Sequence, residues 1–215
     1  MTDLASRLET SYSGAVFDVL RERGLERCIL PKDIVPLDLE RVMAGPAFTV
    51  RGSDKLGLSA HESLLAWTEL LSRAPRGSVV VIAGGGGERA LMGELSAETL
   101  QFRGVRGVVT DGGCRDCAFI RRIGFPVFSR YRIPRDVVAA WTPDTFEETL
   151  LFGDVSIAPG DYLVGDIDGT VRIPAAIAAD VTEEVQRVIA TESLVRKAIL
   201  AGADLTEAYL NHGRF

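Results

Sequence analysis

The amino-acid sequence predicts an α/β fold in a single domain spanning residues 1–215. The apolar runs 78–83 and 107–110 have strand length and flank a segment of helical periodicity, an order typical of a βαβ unit with parallel strands. Residues 155–174 place two turn signals between short apolar stretches, which predicts a β-meander. Residues 175–200 carry valine and isoleucine at helical spacing and predict a long C-terminal helix. No repeat, low-complexity tract or linker divides the chain.

Periodicity and turn residues predict the other elements in chain order. Helical spacing of apolar residues, interrupted near residues 11–14, predicts two short helices within residues 3–24. The proline-punctuated residues 28–39 predict a loop with short extended pieces. The predicted strands are residues 47–51, 78–83, 107–110, 126–129, 162–165 and 170–173. The predicted helices are residues 62–73, 88–102, 118–123 and 175–200, with a last turn at 205–210. The stripe that helix 62–73 should bury comprises Leu64, Leu65, Trp67, Leu70 and Leu71.

Composition and charge narrow the classes of function. The net charge of −6 argues against nucleic acid as a partner, because phosphate binding needs a concentrated basic face. Three cysteines do not make a disulfide framework, so a reducing compartment is expected. Residues 1–14 lack the apolar core of a signal peptide, and no apolar run approaches the roughly 18 residues of a membrane span. The sequence therefore predicts a cytoplasmic protein with no membrane partner.

Four consecutive glycines, Gly84 to Gly87, follow the predicted strand 78–83 and precede helical periodicity. Free N–H groups at a helix N-terminus bind anions, so this glycine loop is a candidate anion site or a place of close backbone approach, with a plain turn as the simpler alternative. Residues 85–90 also fit the dinucleotide pattern G-x-G-x-x-A, with Asp111 after the next strand. An NAD(P)-binding oxidoreductase is therefore an alternative. It is disfavoured because such a motif commonly opens the first βαβ unit and too little chain follows for a second nucleotide-binding half.

A second glycine loop, residues 111–114, leads into Arg115 and Asp116. Ligands collect at the carboxyl ends of parallel strands, where Glu94, Asp111 and Asp116 could cluster. Carboxylates without histidine or cysteine partners suit a hard cation such as Mg²⁺, and Arg115 can bind a carboxylate in fork geometry. The competing interpretation is a surface ion pair and, for Glu94, a solvated helix face.

Cys114 and Cys117 form a C-x-x-C pattern. Zinc would need two further ligands, and the chain has no second paired motif to supply them. We interpret both cysteines as small packing residues, and the sequence leaves a redox role open.

These motifs resemble the RraA-like family, which includes regulators of ribonuclease E activity and aldolases for 4-hydroxy-4-methyl-2-oxoglutarate or 4-carboxy-4-hydroxy-2-oxoadipate. The resemblance rests on Gly93-Glu94 and on residues 112–116. It continues through residues 45–47, 104–109, 124–128, 159–161, 168–169 and 173–174. The aldolase branch has an acid, twenty residues and then Arg-Asp, and Glu94, Arg115 and Asp116 match that spacing.

The regulator branch typically has glycine at the first of these positions and a further acid three residues after the Asp. This chain has Glu94 and Phe119 there, and the departure favours an enzyme. Ala83 stands where an Asp commonly precedes the glycine loop, and residues 55–73 are also unusual for the family. Both departures bear on the substrate more than on the reaction type.

The resemblance implies a compact layered α/β/β/α domain of the swivelling phosphohistidine-domain-like type, with the activity of a class II pyruvate aldolase that also decarboxylates oxaloacetate. Asp116 would hold Mg²⁺ or Mn²⁺, largely through water. Arg115 would bind the pyruvyl carboxylate and keto oxygen of the substrate. Glu94 would activate water for proton transfer. The substrate-binding backbone implied by the family comprises Gly93, Glu94, Leu95 and Ser96.

The resemblance further implies a small anionic 2-oxo acid as substrate and a homotrimer or homohexamer with the site at a subunit boundary. Glu192 of the long C-terminal helix could then reach a neighbour's site. The alternative within the family is a non-catalytic regulator that binds a protein partner.

Overall fold

The computed structural model describes residues 3–84 and 87–213 of the chain. The helices are α1 (Leu4–Leu8), α2 (Ser13–Glu22), α3 (Ala60–Arg73), α4 (Glu94–Phe102), α5 (Cys117–Ile123), α6 (Ala178–Leu200) and α7 (Leu205–His212). The strands are β1 (Val35–Pro36), β2 (Met43–Asp54), β3 (Val79–Ala83), β4 (Gly107–Thr110), β5 (Gly113–Cys114), β6 (Val127–Ser129), β7 (Tyr131–Arg132), β8 (Trp141–Phe146), β9 (Leu150–Phe152), β10 (Val155–Ile157), β11 (Tyr162–Asp166) and β12 (Gly169–Ile173).

One mixed sheet organises these elements. Its strand order is β1-β6-β4-β3-β2-β11-β12, and β8 pairs with β2 as well. Strands β2, β3, β4 and β6 are parallel to one another, as the predicted βαβ unit requires, whereas β1, β8 and β11 pair antiparallel at the flanks of this group. Strands β11 and β12 form the antiparallel hairpin that the turn signals predict. Both sequence predictions are confirmed.

The side chains of the sheet alternate between two faces, and this alternation builds the layers. Val80 of β3 points into a core that contains buried residues of α3, α4 and α5, whereas Val81 points into an inner core. Leu163 of β11 shares that inner core, whereas Val164 packs with buried residues of α2 and α6. The order of layers is therefore helices, strands, strands, helices, which is the α/β/β/α arrangement that the family resemblance implies.

The C-terminal third ends in helices, as the sequence predicts. A 3₁₀ turn at Ala175–Ile177 leads into α6, which is 23 residues long, and α7 follows. Among the residues that the structure describes, no helix is both long enough and apolar enough to cross a membrane.

The burial of α3 differs from the predicted apolar stripe. Leu64 and Leu65 are 47% and 62% exposed, while Ser63 lies buried on the same face as Trp67. The helix also begins two residues early, because Ser59 and Glu62 form a reciprocal capping box there. The cap fixes the start and orientation of the helix, and the two leucines turn to the surface.

The predicted helix 88–102 is wrong over its first six residues. Glu88 has a left-handed backbone with φ of 50°. Ala90 forms a parallel bridge to Gly113, and the N–H of Leu91 donates to the Gly113 carbonyl at 2.9 Å. This segment therefore runs extended beside the second glycine loop, and α4 starts only at Glu94. The glycine loop does not open a helix, which removes the geometry that a dinucleotide fingerprint requires.

Strand β2 is longer than the predicted 47–51, and it comes close to the chain that leaves β3. The pairing of β2 with β8 shifts register next to Gly52, where an added Cβ would lie 1.9 Å from the Trp141 ring. Strands β7, β8 and β9 have no counterpart in the sequence prediction, which gives no element between residues 130 and 154. Strand β10 lies at the start of the predicted meander.

Gly84→Ala should destabilise the fold strongly. Gly84 has φ of 108°, and an added Cβ would lie 1.8 Å from the Gly52 carbonyl oxygen. Because backbone must move to relieve this overlap, we expect a loss of about 3 kcal/mol or more in the free energy of unfolding, measured by urea denaturation. Gly57→Ala is the matched control: its φ is 73°, yet nothing lies within 4 Å of the added Cβ. It should cost only the left-handed backbone strain of about 1 kcal/mol. Equal losses in both variants would contradict the close-approach role.

Candidate active site

Glu94, Arg115 and Asp116 are brought together, as their spacing predicts. Asp116 follows β5 and has a left-handed backbone with φ of 54°, a conformation that Asp and Asn tolerate better than other side chains. Its Oδ2 accepts a hydrogen bond from the Glu94 N–H at 3.1 Å, so it caps the start of α4 from a different loop. Arg115 Nε lies 3.4 Å from the same oxygen. One carboxylate oxygen thus joins the loop to the helix.

Two backbone segments run side by side beneath this contact. The Gly113 N–H donates to the Arg89 carbonyl, and the Arg115 N–H donates to the Met92 carbonyl, both at 2.9 Å. This pairing places Gly93 directly against the Arg115-Asp116 dipeptide. An added Cβ at Gly93 would lie 2.9 Å from Asp116 Oδ2 and 3.1 Å from Arg115 Nε. Because glycine has no Cβ, Gly93 allows α4 to start this close to the Asp116 carboxylate.

The start of α4 offers free donors to an anion. The Glu94 N–H is taken by Asp116, but the N–H groups of Leu95 and Ser96 have no hydrogen-bond acceptor among the residues that the structure describes. Such groups at a helix N-terminus, together with the helix dipole, favour a carboxylate or phosphate. Of the predicted backbone donors, only the Glu94 N–H is therefore taken, and the N–H groups of Gly93, Leu95 and Ser96 remain candidates.

Asp136 is a site residue that the sequence analysis missed. Arg115 Nη1 lies 3.0 Å from Asp136 Oδ2, so the guanidinium bridges Asp136 and Asp116. The other oxygen of Asp136 accepts the Val138 N–H at 3.1 Å, which fixes the carboxylate. Arg115 and Asp136 have about 40% of their side-chain surface exposed, so the guanidinium is held in place and still reachable.

The sequence predicts that Asp111 clusters with Glu94 and Asp116, and the structure places it elsewhere. Its Oδ2 accepts a hydrogen bond from the Gly84 N–H at 3.1 Å and so ties the second loop to the end of β3. In the described part of the chain, no three His, Cys, Asp or Glu side chains come together in a way that could hold a metal. The expected three-acid cluster is therefore wrong, and a single acid, Asp116, is left for a cation.

The surroundings of Asp116 fit a hard divalent cation bound through one protein ligand. Its Oδ1 has no hydrogen-bond partner within residues 3–84 and 87–213, and its side chain is 34% exposed. Mg²⁺ and Mn²⁺ accept such a site because they keep most of their waters, whereas zinc sites need three or four protein ligands. The donor set is thus compatible with Mg²⁺ or Mn²⁺ at Asp116.

The cysteines next to the site are packing residues. Cys114 is fully buried, and burial, with the neighbouring Cys117 and Asp116, raises the pKa of its thiol well above the ordinary value. Full burial also keeps the Cys114 sulfur away from solvent, as expected of a packing residue. This agrees with the packing interpretation.

Two other predicted features have different outcomes. Gly85 and Gly86 of the glycine loop lie outside the described residues, so its role as an anion site stays a prediction. Glu192 lies on α6, and its carboxylate accepts a hydrogen bond from the Tyr12 hydroxyl. Burial and the adjacent Glu192 raise the pKa of Tyr12 to about 12, which keeps this phenol protonated. Within the part of the chain that is described, Glu192 contacts none of Glu94, Arg115 and Asp116.

Comparisons with known proteins point to the same family as the sequence motifs. The sequence model of the RraA-like family (Aldolase/RraA) matches residues 13–172. A Halalkalibacterium halodurans protein named "Putative 4-hydroxy-4-methyl-2-oxoglutarate aldolase" is 27% identical over 184 residues, covering 84% of this chain and 83% of its own. The crystal structure of Streptomyces coelicolor RraAS2, described as an unusual member of the RNase ES inhibitor RraA family, superposes with a TM-score of 0.78 at 25% identity, covering 90% of this chain and 96% of its own.

This chain matches only part of the length of some relatives. Protein DlpA of Legionella pneumophila is 26% identical over 211 residues, which is 97% of this chain but 33% of DlpA. An uncharacterized Methanocaldococcus jannaschii relative is 32% identical over 136 residues. The match spans 59% of this chain and 61% of the relative.

Proposed function

The chain belongs to the RraA-like family, and on this basis we propose that it is a divalent-metal-dependent lyase that cleaves a 4-hydroxy-2-oxo acid to pyruvate. Substrates of the 4-hydroxy-4-methyl-2-oxoglutarate or 4-carboxy-4-hydroxy-2-oxoadipate type fit this class, and oxaloacetate would be decarboxylated as a side activity. The observation that supports the proposal best is the contact of Asp116 with Arg115 and the Glu94 N–H, which leaves Asp116 Oδ1 without a hydrogen-bond partner among the described residues. The relatives named as aldolases point the same way.

The substrate would be held by its 2-oxo acid end. The N–H groups of Leu95 and Ser96 would donate hydrogen bonds to the carboxylate at the start of α4, and Arg115, fixed by Asp136 and Asp116, would bind the carboxylate and keto oxygens. A bound Mg²⁺ or Mn²⁺ at Asp116 would supply the Lewis-acid charge for this class of reaction. Arg115 would add positive charge where negative charge develops on the keto oxygen.

Cleavage also needs proton movement, which we assign to Glu94. The 4-hydroxyl proton must leave as the C3–C4 bond breaks, and the bond electrons move towards the C2 carbonyl. C3 then takes up a proton to give pyruvate, while C4 becomes the carbonyl carbon of the second product. The Glu94 side chain is exposed at the first position of α4, beside the free donors, so its carboxylate can exchange protons with the substrate through water.

We also propose a homotrimer or homohexamer. Leu95, 73% exposed, lies at the proposed substrate end of α4, and Leu65 on α3 is 62% exposed. Exposed leucines at a site of this kind suit a subunit boundary, at which Glu192 of a neighbour could complete the site. Light scattering coupled to gel filtration checks this; a monomer at micromolar concentration would rule it out.

Pyruvate release from oxaloacetate is the direct test of the proposed function. We expect turnover with Mg²⁺ or Mn²⁺ that disappears on adding EDTA and returns with excess metal. Reactions with metal but no protein are needed as blanks, since divalent ions decarboxylate oxaloacetate unaided. Absence of metal-dependent turnover above those blanks, with oxaloacetate and with 4-hydroxy-2-oxo acids, would reject the lyase.

A regulator that binds a protein is the second candidate, because the Streptomyces structure is described as a member of an RNase-inhibitor family. Inhibition of a ribonuclease E-type enzyme that is unchanged by Asp116→Asn, together with no lyase turnover, would favour it.

A further inference from the structure

The two tryptophans of the chain lie side by side next to the proposed site. The rings of Trp67 and Trp141 meet edge to face with centroids 5.9 Å apart. Both are buried, Trp67 at 8% exposure and Trp141 at 1%. Edge-to-face contacts between aromatic rings are energetically favourable, so the two buried indoles hold each other in a fixed position.

Each indole of the pair holds one backbone or side-chain group that borders the site. Trp141 Nε1 donates to the Gly84 carbonyl at 3.0 Å, and Trp67 Nε1 donates to Ser96 Oγ at 2.8 Å. An indole N–H is only a donor, so the direction of both bonds is fixed. Ser96 must therefore be the acceptor towards Trp67 and cannot give its own proton to it.

The hydroxyl proton of Ser96 is thus left for another partner. No described residue accepts a hydrogen bond from Ser96 Oγ. Ser96 is the third residue of α4, and helical side chains lean towards the N-terminus of their helix. The hydroxyl therefore lies at the same end of α4 as the free N–H groups of Leu95 and Ser96.

We propose that Trp67 is a positioning residue that turns the Ser96 hydroxyl into a third donor for the carboxylate of the 2-oxo acid. The inference rests on the proposed function. By occupying one lone pair of Ser96 Oγ, the buried indole restricts the rotation of the hydroxyl and directs its proton away from α3. The substrate carboxylate would then meet two backbone donors and one oriented side-chain donor.

Helix α3 braces the opposite side of the site as well. Ser63, one turn before Trp67, is 1% exposed, and its Oγ accepts the Ala139 N–H at 2.8 Å. Ala139 follows the turn in which Asp136 accepts the Val138 N–H. One helix therefore fixes both the Ser96 donor and the segment that carries the Arg115 partner.

The test is a double-mutant cycle with Trp67→Phe and Ser96→Ala. Phenylalanine keeps the ring against Trp141 but removes the N–H, so thermal unfolding should show a folded protein. With Mg²⁺ present, we expect each single variant to raise the KM for oxaloacetate and the dissociation constant of oxalate, a mimic of the pyruvate enolate, by about fivefold to tenfold. The kcat of Trp67→Phe should stay within about twofold, because the carboxylate that the donor binds is held equally in the ground state and the transition state. The double variant should be no worse than Ser96→Ala alone.

Additive effects, or oxalate affinity in Trp67→Phe equal to that of the wild type, would overturn the positioning role. A drop in kcat with unchanged KM would overturn it too, since a general loss of structure would then be the cause. The two proposals fail differently: metal-dependent turnover of the wild-type protein decides the lyase, and the ratio of oxalate dissociation constants between variants decides the role of Trp67.

Discussion

Asp116→Asn should lower metal-dependent kcat/KM for oxaloacetate by about a thousandfold or more. The variant removes the charge that would hold the cation, and Lewis-acid stabilisation is worth several kcal/mol, with each 1.4 kcal/mol equal to a factor of ten. Asparagine is the sharpest substitution because it tolerates the left-handed φ of 54° and its amide oxygen can still accept the Glu94 N–H. Initial rates of pyruvate formation over a range of Mg²⁺ concentrations measure the effect.

The matched control is Glu98→Gln, which neutralises another exposed carboxylate on the same helix α4. It should leave kcat/KM within about twofold, because surface charges away from the site contribute little. Asp116→Asn should also show no saturation with Mg²⁺. If it retained wild-type metal dependence, the cation would be bound elsewhere and the assignment of Asp116 would be wrong.

The parallel strands could be predicted almost residue by residue. Residues 107–110 read Gly-Val-Val-Thr, a short β-prone run typical of a strand covered on both faces, and the structure places β4 there with all four residues buried. The meander and the long C-terminal helix were equally clear, because turn residues and helical spacing are local signals.

Residues 88–93 could not be predicted in the same way. Ala90, Leu91 and Met92 are helix-forming and apolar, so local propensity favours a helix. Their structure is set instead by Gly113, a residue distant in the sequence whose carbonyl accepts a hydrogen bond from the Leu91 N–H. Tertiary pairing overrides propensity there, and the same pairing brings Gly93 against Asp116.

The same contrast between sequence signals and tertiary contacts applies to the residues of the candidate site. Glu94, Arg115 and Asp116 could be found because the family motif records their spacing. Asp136 has no motif, since it reaches Arg115 across 21 residues and through a turn that local sequence does not specify. Asp111 shows the opposite error: its position after β4 suggested a metal ligand, but its carboxylate serves the backbone of Gly84.

Arg115→Lys should raise the KM for oxaloacetate by about tenfold to a hundredfold while the protein stays folded. The guanidinium uses Nε towards Asp116 and Nη1 towards Asp136, and this fork leaves it fixed and able to bind a carboxylate with two parallel bonds. A lysine ammonium is a point charge without a fork, so it cannot bridge both acids and present a planar donor pair to the substrate. Steady-state kinetics and the inhibition constant of oxalate measure the change.

The variant Asp136→Asn tests whether Arg115 needs a fixed orientation in addition to its positive charge. The Arg115 charge stays, but Asp136 loses the anionic oxygen that lies 3.0 Å from Nη1. We therefore expect KM to rise less than in Arg115→Lys, by about threefold to tenfold, because a charge-assisted bond becomes a neutral one. If Arg115→Lys stayed within twofold of the wild type in both KM and oxalate inhibition, positive charge alone would suffice at this position. The fork geometry and the bridge between Asp116 and Asp136 would then not be needed for binding the carboxylate.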